Sequence, residues 1–216
     1  AKEAAEAGAL DLGDAVSRVP GVDVTRFGQA GTMSSISIRG SKSNQVLVMQ
    51  DGRPINQPST GLADVSLEYA NEMDQVEVVR GPSGLLYGAN ALGGVVNMLT
   101  PEPPSRFTVF AGAELGGFNS NSTSVRVGGP IGPARFLVQR SSAGSDGHRE
   151  NSVFTGNNWM LKGVLFSNPR LVVTGTSNET ALGLPGVVPA VDVLKRNSGQ
   201  AHFGDDKASS LVDWQK

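Results

Sequence analysis

From Asp11 to Val19 the apolar residues Leu12, Ala15, Val16 and Val19 recur at the i, i+3, i+4, i+7 spacing of one helical face. Asp11 lies near the start of that helix and Pro20-Gly21 ends it. The period then shortens to two. Gly21 to Phe27, Ser34 to Arg39 and Gln45 to Gln50 read as strands, with Ile36 and Ile38 alternating against Ser35 and Ser37. Asp51-Gly52 is a strong turn signal, Arg53 to Ile55 can return as the second arm of a hairpin, and Gln57 to Gly61 (QPSTG) reads as an exposed loop. Leu67 to Met73 suits a brief helix, and Gln75 to Arg80 sets Val76 and Val78 on one face against Gln75 and Glu77 on the other. A glycine-rich turn (GPSGLLYGANALGG) leads into a last strand from Val95 to Leu99.

The pattern changes at the run TPEPPS, Thr100 to Ser105. Beyond it come loosely alternating stretches at Phe107 to Leu115, Ser122 to Gly128, Arg135 to Ser141, Asn158 to Phe166 and Leu171 to Ser177. The runs Gly129 to Pro133 and Asn168-Pro169 read as tight turns, and Ser142 to Phe154 and Glu179 to Val193 as longer connections. Alternating short and long connections suit an outer-membrane barrel. The predicted architecture is an α+β domain over residues 1–104 followed by antiparallel strands of a transmembrane β-barrel over 105–216.

Composition removes several function classes. The formal charge is -2 with no basic block, so the electrostatic footprint of nucleic-acid binding is missing and no nucleic-acid partner is expected. The absence of cysteine excludes disulfides, thiolate zinc sites and a cysteine nucleophile. No stretch approaches the length of an apolar membrane helix, a test that barrel strands escape.

Four segments, in order and at plausible spacing, resemble the plug of TonB-dependent outer-membrane receptors: LGDAVSRVPGVDV (Leu12 to Val24), ISIRG (Ile36 to Gly40), VLVMQDGRPI (Val46 to Ile55) and VEVVRGPSGLLYGANALGGVVNMLT (Val76 to Thr100). Each alone is weak; the series, ending in the long glycine-rich block, is specific. The resemblance implies a plug seated in a 22-stranded barrel of the Gram-negative outer membrane. It also implies an energy-coupling TonB-type periplasmic partner, contact with outer-membrane lipid, and import of a metal chelate or vitamin, closest in feel to cobalamin and siderophore receptors. The residues after Pro101 suffice for only about six to eight strands of about 9 to 11 residues, so further strands are expected elsewhere. No convincing energy-coupling box precedes Leu10.

The same resemblance implies roles for particular residues. Arg39 and Arg80, each ending a strand before glycine, would lock the plug to barrel glutamates, with Glu77 nearby; the plain alternative is two solvated strand-end arginines. Gln57, Ser59 and Thr60 in the loop, and Tyr87 and Asn90 in the turn Leu86 to Asn90, would be outward apices that touch ligand, Tyr87 by stacking, unless that ring packs on the barrel wall.

Other motifs fail or stay weak. GPSGLLYG lacks the Lys-Ser/Thr pair of a phosphate loop, and no G-x-S-x-G elbow is present, so no enzyme is expected. Asp146, His148 and Glu150 at i±2 could face a metal; an ordinary polar loop is far commoner, no metal site or cofactor is assigned, and calcium stays possible. His202 with Asp205 and Asp206 is weaker still, and Trp159 and Trp214 suit either an aromatic girdle or a core. Rival readings are a plugged-barrel scaffold subunit without transport and a soluble periplasmic β-domain. Val125, Val127, Phe136, Val138, Met160, Leu165, Val172 and Val173 are the positions expected to face lipid.

Overall fold

The computed structural model describes residues 9, 11–28, 31–149, 151–167, 170–184 and 201–215, with the backbone alone at 89, 166–167 and 201–215. Two compact units, Ala1–Pro101 and Glu102–Lys216, meet inside the TPEPPS run.

In the first unit, helix α1 (Leu12–Val16) starts where Asp11 accepts a hydrogen bond from the Asp14 amide at 2.8 Å and buries Leu12 and Val16. The predicted helix ran on to Val19. It stops early because Pro20 disfavours helical backbone in the residue before it; Val19 N–H instead bonds to the Val16 carbonyl at 2.9 Å. Strands β1 (Val22–Arg26) and β2 (Ser34–Ile38) pair antiparallel as a separate ribbon. Arg26, ending β1, reaches back to Asp11 through two bonds of 2.9 Å and to Asp14 at 2.7 Å, so one guanidinium ties the ribbon to the start of α1.

Four strands form the other sheet: β3 (Val46–Gln50), β4 (Arg53–Pro54), β5 (Gln75–Arg80) and β6 (Gly94–Leu99), in the order β4-β3-β6-β5. The hairpin at Asp51-Gly52 forms as predicted, both residues taking positive φ (49° and 81°). The parallel pairing of β3 with β6 was not visible in the sequence. It explains why β3 is apolar without alternation: Val46 and Val48 pack with Leu12, Ile36, Ile38, Val96 and Met98 on one face, while Leu47 and Met49 pack with Ala91 and Val95 on the other. Each of these buried valine, leucine, isoleucine and methionine side chains contributes about 1.5–3 kcal/mol of burial. The expected helix over Leu67 to Met73 reduces to a 3₁₀ turn, Ala70–Glu72.

The second unit is a meander of six antiparallel strands: β7 (Thr108–Leu115), β8 (Asn121–Ile131), β9 (Ala134–Ser145), β10 (Phe154–Ser167), β11 (Arg170–Leu184) and β12 (Ala201–Gln215). The strands outrun the predicted stretches. The expected turn from Gly129 shrinks to Gly132-Pro133 because β8 continues to Ile131, and β11 covers Glu179 to Leu184, which had read as connection. Asn168-Pro169 and residues 185–193 lie outside the described residues. Register separates two faces. One carries Val109, Val125, Val127, Phe136, Val138, Leu161, Leu165 and Val173; the other carries buried Gln139, Ser141, Asn158 and Lys162. Met160 and Val172, expected on the apolar outer face, are buried on the inner one. Their alternation partners decide this: Met160 pairs with Gln139, and Val172 with Val164.

The inner face holds the segment that begins the unit. Glu102 receives both bonds of 2.8 Å from Arg170 and lies 3.5 Å from the buried Lys162 ammonium, while Arg135 donates to the Pro103 carbonyl at 3.1 Å. Pro104 fits against Gly128, where any side chain would meet the ring at 2.7 Å.

Candidate functional site

The predicted apex loop Gln57 to Gly61 is exposed and closed on itself. Gln57 N–H donates to the Leu62 carbonyl and Gly61 N–H to the Gln57 carbonyl, both at 2.8 Å, and Gly61 takes a φ of 71°. Thr60 Oγ donates to Gln57 Oε1 at 3.3 Å, which leaves the Gln57 amide nitrogen facing solvent; Ser59 is exposed. The loop stands on a residue the sequence reading passed over. Asn56 is buried: its Oδ1 accepts from Val48 N–H at 2.8 Å, and its Nδ2 donates to the Val46 carbonyl at 2.9 Å and the Gly61 carbonyl at 2.8 Å. It continues the pairing of β3 where β4 has ended. The available signal was an amide placed directly after the apolar Ile55 on a returning hairpin arm.

The glycine-rich segment is a closed excursion and not a simple turn. Gly81 N–H bonds to the Gly93 carbonyl at 3.0 Å and Ser83 N–H to the Ala91 carbonyl at 2.8 Å, pinching its base. Within it, Gly84–Tyr87 forms a single helical turn, α2, and Ala89–Ala91 a 3₁₀ turn. Tyr87 therefore ends a helix where a loop was expected, half exposed, beside fully exposed Leu85 and largely exposed Leu86; Asn90 is half-buried. Glycine is required at the exit. A Cβ on Gly93 would lie 2.3 Å from Ser41 Oγ, and one on Gly94, whose φ is 153°, 2.4 Å from the Val79 carbonyl.

These pieces share one end of the four-stranded sheet. Gly94 aligns with Val46 in β3 and with Arg80 in β5, and Gly93 N–H bonds to the Gln45 carbonyl at 2.9 Å. Arg39 and Arg80 converge there. Arg39 N–H donates to the Gly21 carbonyl and Arg80 Nη1 to the neighbouring Pro20 carbonyl, both at 2.8 Å, and Arg39 Nη1 lies 3.9 Å from the place a Cβ would take on Gly81. Among the described residues neither guanidinium meets a carboxylate. Glu77 does not join them: alternation puts it on the opposite face of β5 from Arg80, where it accepts from Asn97 Nδ2 at 3.2 Å and Gln75 Nε2 at 3.4 Å.

The sequence profile described as TonB-dependent Receptor Plug Domain matches residues 1–95. Residues 1–95 are a TonB-dependent receptor plug. The vitamin B12 transporter BtuB of Vibrio vulnificus is 39% identical over 145 residues, 65% of this chain and 23% of that protein. Among solved structures, the ferric yersiniabactin uptake receptor FyuA of Yersinia pestis superposes with a TM-score of 0.78 at 23% identity, over 96% of this chain and 35% of its own. The ferripyoverdine receptor of Pseudomonas aeruginosa gives 0.77 at 17% identity, over 95% and 29%. The chain thus spans under a quarter of the curated relative and about a third of each of these solved receptors. The strands after the plug have the fold of TonB-dependent receptor barrels, and the family places the chain in the Gram-negative outer membrane.

Around the plug and barrel strands the remaining polar groups have local roles. Burial raises the Asp11 carboxyl above its ordinary value more than the bonds from Arg26 and the Asp14 amide lower it. Burial also lowers the Arg26 guanidinium, but bonding and attraction from Asp11, with attraction from Asp14, outweigh this and leave it raised. Asp146 accepts from Asn119 Nδ2 at 3.2 Å and His148 meets the Phe118 ring edge-on; Glu150 and the side chains of His202, Asp205, Asp206 and Trp214 lie outside the described residues. No group of three or more ligating side chains occurs among the described residues.

Proposed function

We propose that this chain belongs to an active importer of a bulky, scarce nutrient, a metal chelate or a cobalamin-like vitamin, driven by a TonB-type periplasmic protein. The observation that carries the reading is the gathering of the exposed loop Gln57 to Gly61, α2 and the two uncompensated arginines at one end of the plug sheet. Gln57, Ser59, Thr60, Tyr87 and Asn90 would contact the ligand from a frame held by Asn56 and the pinched base of the excursion. Arg39 and Arg80 would take barrel carboxylates as partners. Such ion pairs hold a conformation yet remain breakable, since their net worth is small while the loss of one partner is costly. Transport, not catalysis, is the task assigned.

The test is uptake in a receptor-deleted strain complemented with the full-length protein, using radiolabelled cobalamin and iron-55 siderophores. Uptake of one ligand that disappears when the energy-coupling protein is deleted, and whose binding weakens in Y87A and Q57A, supports the proposal. Ligand accumulation unchanged by loss of energy coupling would refute it.

A further inference from the structure

Among the described residues, the apolar outer face of β7 to β11 carries one arginine. Register places Val125, Arg140 and Trp159 side by side on β8, β9 and β10. One row toward the short Gly132-Pro133 turn the outward residues are Val127, Val138 and Leu161; one row away from it they are Thr123, Ser142 and Asn157. Three strands change from apolar to polar at the same level. That level is the edge of the hydrocarbon band, where tryptophan concentrates and a charge facing lipid is tolerated.

Arg140 is exposed, and its guanidinium lies over the half-exposed Trp159 ring with Cζ 5.3 Å from the centroid. It is the only basic side chain on the outward face of β7 to β11 among the described residues, and it makes no hydrogen bond or ion pair with any of them. The ring fixes the plane of the fork by cation–π attraction while its edge N–H groups stay open. The level lies on the side of the connection 146–153, the longer kind that faces outward in such barrels. We propose that Arg140, held on Trp159, binds the phosphate of an anionic lipid headgroup in the outer leaflet. The guanidinium fork matches two phosphate oxygens, and the membrane supplies them at that depth. The proposal rests on the outer-membrane barrel reading.

The experiment uses the purified full-length receptor, titrated by native mass spectrometry with lipid A, phosphatidylcholine or inorganic phosphate. The wild type is expected to retain lipid A in preference to phosphatidylcholine, with R140Q lowering lipid A retention about fivefold, R140K keeping part of it and inorganic phosphate failing to compete. Equal retention by R140Q and wild type overturns the proposal. Full competition by inorganic phosphate overturns the lipid source in favour of a free anion. A separate arm guards the underlying reading: L161C, in a full-length receptor with any other cysteine replaced, should resist a membrane-impermeant maleimide in vesicles. Rapid labelling there, with R140Q without effect, faults the barrel reading itself; protection with R140Q without effect faults only the lipid site.

Discussion

The plug and the barrel unit hide apolar surface by opposite rules. In the plug, β3 is covered on both faces, so Val46, Leu47, Val48 and Met49 follow one another without a break. In the barrel unit the strands turn an apolar face outward and a largely polar one inward, where Gln139, Ser141 and Lys162 are buried. The same composition of short strands and glycine turns thus serves two solvents. What matters is which faces have a neighbour.

The sharpest break of that comparison is V96D. A carboxylate in the middle of the plug core has no partner and should remove more than about 4 kcal/mol, seen as proteolysis of the plug in the full-length receptor while the barrel keeps its heat-modifiable mobility on gels. Loss of both together would mean that the units are not separable. R26A comes next: it strands the buried Asp11 carboxylate and should destabilise the plug by about 2–3 kcal/mol in urea melts, less than a fully buried pair because Arg26 is partly exposed. D11N should restore part of the loss. On the other unit, V138K should reduce barrel stability in lipid by about 1–2 kcal/mol, whereas S142K, two rows farther out, should be nearly neutral. Equal effects would move the lipid boundary.

The smallest effect is the pH response of Asp11. A carboxyl raised in the folded chain binds its proton more tightly there, so its contribution is full below the ordinary value of 3.8 and is lost as pH rises through the raised one. The melting temperature of wild type relative to D11N should therefore climb as pH falls from neutral and level off in acid. The raised Arg26 acts in the same sense far higher, its contribution fading only as pH rises through the guanidinium range. A wild-type advantage that shrinks on acidification would show that the ion pair outweighs burial.

Much of the fold was legible because it is local. The Asp51-Gly52 hairpin, the strands around Ile36 and Val78 and the meander after Ser105 follow from turn chemistry and alternation within a few residues. The β3–β6 pairing was not legible, since continuous apolar runs show burial on two faces without naming the neighbour. Met160 and Val172 were misassigned for the related reason that an apolar residue suits the packed part of an inner face as well as lipid. At the site, the exposure of Gln57 to Gly61 was readable from QPSTG. The helical turn at Tyr87 was not, because its support comes from backbone bonds across the base of the excursion.

The central parallel pair joins Val46–Gln50 to Gly94–Leu99, so the innermost strand of the plug receives its companion only after the whole intervening chain has been delivered. A polypeptide threaded amino end first into the periplasm exposes VLVM to water during that interval, with loop closure still to come. Order of secretion and order of assembly are therefore out of step, which makes the newly exported amino-terminal half a natural client for a holding chaperone.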